Sequence, residues 1–106
     1  MPQARRGEVW LVDLGLAAKV RPALVVSTAF TENERALYSV MPHTTAVWGT
    51  RFEAVIPVKW LEAGAFDAQG IRPVPSKVFL RKLGTLSNDQ LSNAEAAIAA
   101  WFSLKH

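Results

Sequence analysis

Four apolar runs of strand length lie between Glu8 and Pro57, and together they commit the chain to a mainly β fold. The first, Glu8-Val9-Trp10-Leu11-Val12-Asp13-Leu14, follows Gly7, and the second, Ala23-Leu24-Val25-Val26-Ser27, follows Pro22. Branched and aromatic side chains crowd both runs, as a pleated surface favours. The third, Ala36 to Met41, is expected to stop at Pro42. The fourth, Arg51-Phe52-Glu53-Ala54-Val55-Ile56-Pro57, alternates charged or small residues with apolar ones, the mark of one wet and one buried face. Short connections make these runs antiparallel neighbours. Two further pieces, Gly70 to Val74 and Lys77 to Leu80, are split by prolines, which places them at sheet edges or strand starts. A strongly curved sheet or small barrel is the expected result.

One helix follows. Ser87 is placed as its N-cap, Asp89 lies in the first turn, Gln90 stands at the capping-box position, and Leu86 and Leu91 are spaced as a hydrophobic staple. Leu91, Ala94, Ile98 and Trp101 then recur at helical spacing, so one stripe packs on the sheet while Asn93 and Glu95 face water. Lys59 to Gln69 reads as an irregular loop with a helical turn. No fixed-period repeat or low-complexity tract interrupts the chain.

At 106 residues, half of them hydrophobic, the chain has material for one core, and residues 1–106 are expected to form a single domain. The absence of cysteine excludes disulfides, thiolate metal sites and a cysteine nucleophile. The polar N-terminus Met1 to Arg6 leads straight into a strand-like run with no long apolar segment, so a cytoplasmic protein with no membrane contact is expected. A net charge of +3 is too modest to identify nucleic acid as a partner. Placement has to decide, and most of the basic residues lie at the edges of the strand-like runs.

Metal-assisted hydrolysis needs carboxylates or histidines converging on a cation, yet Asp13, Glu53, Asp67 and Asp89 stand apart, and the histidines are His43 and the terminal His106. No metal or other cofactor is expected. A serine-hydrolase arrangement lacks its Gly-x-Ser-x-Gly elbow, and His43 would be its only base. More informative are Lys19-Val20-Arg21-Pro22-Ala23-Leu24 and Met41-Pro42-His43-Thr44-Thr45, both at junctions of strand and loop. If the second and third runs pair antiparallel, the start of one lies beside the end of the other and Arg21 approaches Thr44. Such a pair suits phosphodiester cleavage in which a ribose 2′-hydroxyl attacks its own phosphate. Arg21 would brace the developing charge with a two-pronged hydrogen bond and Thr44 would donate to the same oxygens, while other groups handle the protons.

The motifs Arg6-Gly7-Glu8-Val9-Trp10-Leu11-Val12-Asp13, Arg21-Pro22-Ala23-Leu24-Val25-Val26-Ser27 and Pro42-His43-Thr44-Thr45 resemble, in order and spacing, the MazF/PemK toxin–antitoxin endoribonucleases. The resemblance continues through Arg51-Phe52-Glu53, Gln69 to Arg72 and Arg81 to Ser87, and so covers nearly the whole chain. It implies an SH3-like small barrel with a C-terminal helix, the fold shared with CcdB-type toxins. It also implies a homodimer with an RNA groove, and metal-independent cutting of single-stranded RNA to a 2′,3′-cyclic phosphate and a 5′-hydroxyl. The family's Arg-Pro arginine falls on Arg21 and its Pro-x-Thr threonine on Thr44, with Thr45 as a further candidate. The expected partners are RNA and a cognate antitoxin whose disordered segment lies in the same groove, with DNA contacted only through the toxin–antitoxin complex.

His43 stands where many relatives carry an aliphatic residue, and strand alternation points it away from Thr44 unless the chain bends at Pro42. Arginine stays protonated, so His43 is the candidate general base. Lys19, Thr45, Trp48, Arg51, Arg72 and Lys77 are the candidate RNA contacts, Trp48 as a stacking ring and the basic residues on phosphates. Trp10 and Trp60 are assigned to the core or dimer interface. The Gly15 to Val20 loop is shorter than in many relatives, which implies reduced gating of the groove. Two alternatives share the fold: a gyrase-poisoning toxin, and a catalytically inactive module that binds RNA or antitoxin. The first would need a Trp-Gly-Ile C-terminal tip, whereas Trp101 is followed here by Phe102-Ser103-Leu104.

Overall fold

The computed structural model describes residues 3–17 and 19–105. Met1, Pro2, Ala18 and His106 lie outside the described residues, so the length of the Gly15 to Val20 loop carries no structural account of gating. The strands are β1 (Glu8–Asp13), β2 (Val20–Val25), β3 (Tyr38–Thr44), β4 (Glu53–Ala54), β5 (Ala65–Asp67), β6 (Arg72–Val74) and β7 (Phe79–Thr85), followed by the helix α1 (Asn88–Phe102). Hydrogen bonding orders the sheet β4-β5-β3-β2-β1-β7, with β6 also on β3. Every pairing is antiparallel. The expected mainly β architecture with a C-terminal helix is present, but β4 and β7 end the sheet without meeting, so it is open rather than a closed barrel.

Prolines explain where the strands depart from the sequence expectation. β3 does not stop at Pro42 but runs to Thr44. On one edge it pairs with β6 through Tyr38 to Val40 and with β5 through His43 and Thr44. Pro42 falls at the change of partner, where a missing N–H costs no ladder bond on that edge. Likewise β2 begins at Val20 and includes Pro22, which is paired with Leu11 of β1, while the β3 ladder starts one residue later at Ala23 opposite Pro42.

Other differences follow from tertiary pairing. The fourth run shrinks to Glu53–Ala54, and the expected loop before Gln69 ends instead in β5 and a 3-10 turn at Ala68–Gly70. β7 extends to Thr85 and, with Arg81 and Lys82 exposed, has the charged character of an edge strand. Two register shifts against β1 supply local curvature.

Both faces of the central strands are buried, which explains their continuous apolar runs. Val9, Leu24, Met41 and Phe66 face one core with Ala94 and Ala97 of α1, whereas Trp10, Val12, Val25, Val40 and Phe79 face the other. Alanine at the helix contacts lets α1 approach the sheet closely. The Trp10 ring meets Phe79 edge-on at 5.6 Å and its indole N–H donates to Glu8 Oε1 at 3.0 Å, so this side chain is core. The capping box forms as spaced: Ser87 Oγ accepts the Gln90 N–H at 3.2 Å and Gln90 Oε1 accepts the Ser87 N–H at 2.8 Å. Leu86 and Leu91 share the first core, while Glu95 pairs with Arg6 instead of facing only water. No described helix is long and apolar enough to cross a membrane.

Candidate functional site

The β2–β3 register places the site. Ala23 lies opposite Pro42 and Leu24 opposite Met41. The ladder ends at Ala23 and Pro42, and two residues beyond it along each strand stand Arg21 of β2 and Thr44 of β3. Both side chains line a cavity of about 300 Å³, together with His43, Trp48 and Arg72. Five of the sequence candidates therefore converge on one concave surface.

Thr44 is oriented by its own backbone. Its Oγ1 accepts the Ala46 N–H at 3.0 Å, and because a hydroxyl carries one donor and two acceptor positions, the O–H remains available to donate elsewhere. His43 is 5% exposed and lines this cavity despite the alternation expected along the strand. Its ring meets Phe66 edge-on at 5.0 Å. Burial pushes the imidazole below its ordinary pKa, with the negative charge of Glu62 opposing. The ring is thus a neutral base near pH 7. Gly64 makes the close approach possible: a Cβ there would stand 2.2 Å from the Thr44 carbonyl oxygen and 2.7 Å from His43 Cε1.

Two carboxylates that stand apart in the sequence meet here. Glu53 and Asp67 are register partners across β4 and β5, and both line the cavity. Glu53 accepts the N–H of Trp48 at 3.1 Å on each oxygen and that of Thr50 at 3.0 Å. These backbone donors, Trp48 first, hold its carboxyl below the usual carboxylate range. Thr50-x-x-Glu53 has the spacing of a capping box, a local signal that could have revealed this contact. Asp67 Oδ1 accepts the Gln69 N–H at 3.0 Å, and nothing in the sequence indicates its place in the cavity. Arg72, whose Nε donates to the Gly70 carbonyl at 3.2 Å, is the second guanidinium group lining it.

A second cavity of about 340 Å³ shares Arg21 and His43 with the first. Thr45, Trp60, Glu62 and Arg81 line it. The remaining candidates lie elsewhere. Lys19 is exposed in the β1–β2 connection with φ +60° and lines neither cavity. Arg51 lies over the Phe52 ring, 4.8 Å from its centroid, and Phe52 in turn meets Trp101 of α1. Lys77 sits in a 3-10 turn at Ser76–Val78, also outside both cavities. Among the described residues no three histidine, aspartate or glutamate side chains are grouped so that they could hold a metal ion.

Comparison with solved structures finds the same fold in bacterial toxins. A mycobacterial endoribonuclease in complex with its cognate antitoxin superposes with a TM-score of 0.83 at 20% identity, over 98% of this chain and 99% of that one. The Mycobacterium tuberculosis toxin MazF-mt6 gives a TM-score of 0.79 at 23% identity, over 93% and 99% of the two chains. MazF from Deinococcus radiodurans gives 0.79 at 23% identity, over 98% and 100%. Comparison with curated protein sequences returned no match. A family model for the PemK-like, MazF-like toxins of type II toxin–antitoxin systems matches residues 5–102. That span includes both strands that bring Arg21 to Thr44 and the helix that backs the sheet, and on this ground the chain belongs to the PemK/MazF toxin family.

Proposed function

We propose that residues 1–106 act as one toxin domain that cuts single-stranded RNA without a metal ion, leaving a 2′,3′-cyclic phosphate and a 5′-hydroxyl. The observation that supports this reading is that Arg21 and Thr44 line one cavity, with the Thr44 hydroxyl oxygen already accepting the Ala46 N–H. In the reaction the 2′-oxygen forms a bond to phosphorus and the bond from phosphorus to the 5′-oxygen breaks. His43 accepts the 2′-proton, and the 5′-oxygen takes up a proton as it leaves. Arg21 and the Thr44 hydroxyl stabilise the added negative charge on the phosphoryl oxygens, where a prearranged donor contributes ~3–4 kcal/mol to the barrier. Trp48, 86% exposed at the rim, offers its ring to a base, and Arg72 offers a phosphate contact.

The chain acts in the cytoplasm as a homodimer and is neutralised by a cognate antitoxin. The fold shared with a mycobacterial endoribonuclease solved with its antitoxin supports that partner. A groove lined by Ile98, Phe102 and Leu104 beside α1 supplies apolar surface for a second copy. Lys19, Arg51 and Lys77, outside both cavities, are left to longer-range contact with the RNA chain, whereas Thr45 lines the second cavity.

The test is incubation of the purified protein with a long RNA in EDTA, followed by mapping of product 5′ ends. Selective cutting is expected in chelator, lost in Arg21→Ala and reduced about 100-fold in Thr44→Ala. A gyrase-poisoning toxin or an inactive module would leave the RNA intact. Full activity in either variant would remove that residue from the site.

A further inference from the structure

Arg21 and His43 form the boundary between two cavities, and the second has a chemistry that the cleavage reaction as drawn above does not use. A phosphodiester under attack carries a nucleotide on each side. A phosphate braced by Arg21 therefore sits where one flanking nucleotide enters the cavity of Thr44 and Trp48, and the other is directed across the boundary.

The far side is furnished for such a group. Trp60, partly buried against the first core as its sequence assignment allowed, also reaches this cavity from the β4–β5 connection, with its ring pressed on the backbone of β7: a Cβ on Gly84 would meet three indole atoms at 2.4 to 2.8 Å. Only glycine at this position lets the ring lie there. Leu11 and Leu83 supply apolar walls, and Arg81 projects from the exposed edge strand. Glu62 is the one acid lining the cavity, an acceptor suited to the amino group of a base rather than to phosphate. An aromatic face, a guanidinium group and one hydrogen-bond acceptor are the parts from which single-stranded RNA sites are built, and about 340 Å³ lies in the small-ligand range of ~300–1,000 Å³.

We infer that this cavity is a nucleotide subsite: it holds the residue on the side of the scissile phosphate away from Trp48, with Trp60 as stacking face, Arg81 as phosphate contact and Glu62 as reader of a base amino group. The inference rests on the RNA-cleaving reading and adds to it the residues that set base preference on one side of the cut.

The experiment compares wild type with Trp60→Leu and Arg81→Ser on an RNA pool randomised around a cut site, reading base frequencies at each position and kcat/KM on the preferred sequence. Arg81→Ser lies on an exposed edge and is expected to melt with the wild type, so it guards against a folding defect in Trp60→Leu. For Trp60→Leu we expect a roughly 5- to 160-fold fall in kcat/KM, the range of one lost base stack. Base preference should flatten at one position beside the cut and persist on the other side. Arg81→Ser should raise KM several-fold. Unchanged base frequencies on both sides in both variants, with wild-type cutting intact, would overturn the subsite alone and leave the cavity to a protein segment or to no ligand. A wild type that does not cut RNA would remove the parent reading and this inference with it.

Discussion

Both carboxylate oxygens of Glu53 accept the backbone N–H of Trp48, each at 3.1 Å. The exposed indole at the rim of the first cavity is thereby anchored through its own backbone rather than through its ring. Glu53→Ala should free the Trp48 loop and cost about 1 kcal/mol, a charge-assisted contact discounted for its solvent exposure. Thermal melts and Trp48 accessibility to a soluble quencher check this. The contribution also has a defined pH sign. Because the folded carboxyl titrates below its ordinary value, the stabilisation is complete above the unfolded-state value of about 4.5 and is lost as pH falls through the lower folded value. Glu53→Gln should remove that acid-side dependence.

His43 takes up a proton less readily than a surface histidine. Burial favours its neutral form, so the unfolded chain binds a proton near the ordinary imidazole value of 6.5 while the folded chain does not until lower pH. Stability should therefore fall as pH drops below about 6.5 and level off beneath the folded value, a slope that His43→Gln should abolish. If the ring also accepts the 2′-proton, the acid limb of the kcat/KM profile lies below the ordinary imidazole range and disappears in His43→Ala. A limb that persists unchanged in that variant would assign the proton to another group.

Gly64 sits where any side chain collides with the Thr44 carbonyl, which is backbone and cannot swing aside. Gly64→Ala is expected to separate β5 from the end of β3 and to destabilise the protein by ~1–3 kcal/mol or more, as overpacking does. Its effect on turnover should exceed that of an equally destabilising core change such as Val40→Ala, since the displaced backbone carries Thr44. Equal activity per folded molecule in the two variants would show that the close approach serves packing only.

Much of this was open to a reader of the residues, for reasons that differ by scale. The start of α1 is decided within four residues, since Ser87 and Gln90 satisfy each other's backbone groups wherever the helix docks. The placing of Arg21 and Thr44 at one cavity followed from the antiparallel pairing of β2 with β3, which sets the start of one strand beside the end of the other. The short β4 was hidden because Val55 to Pro57 look like strand but find no partner in the sheet. The long β7 was hidden because an edge strand with Arg81 and Lys82 outward has little apolar period.

The chain by itself determined the local events and the family pattern: the capped helix, the apolar runs and the Arg-Pro and Pro-x-Thr motifs, each set by interactions between residues close in sequence. Tertiary structure alone decided that β3 continues through Pro42 by changing partners, that Glu53 meets Asp67, and that Arg51 turns onto Phe52 instead of into the cavity. It also decided that Arg21 and His43 separate two cavities. These outcomes depend on which distant segments pair and in what register, and no short window of residues encodes the free energy of that choice.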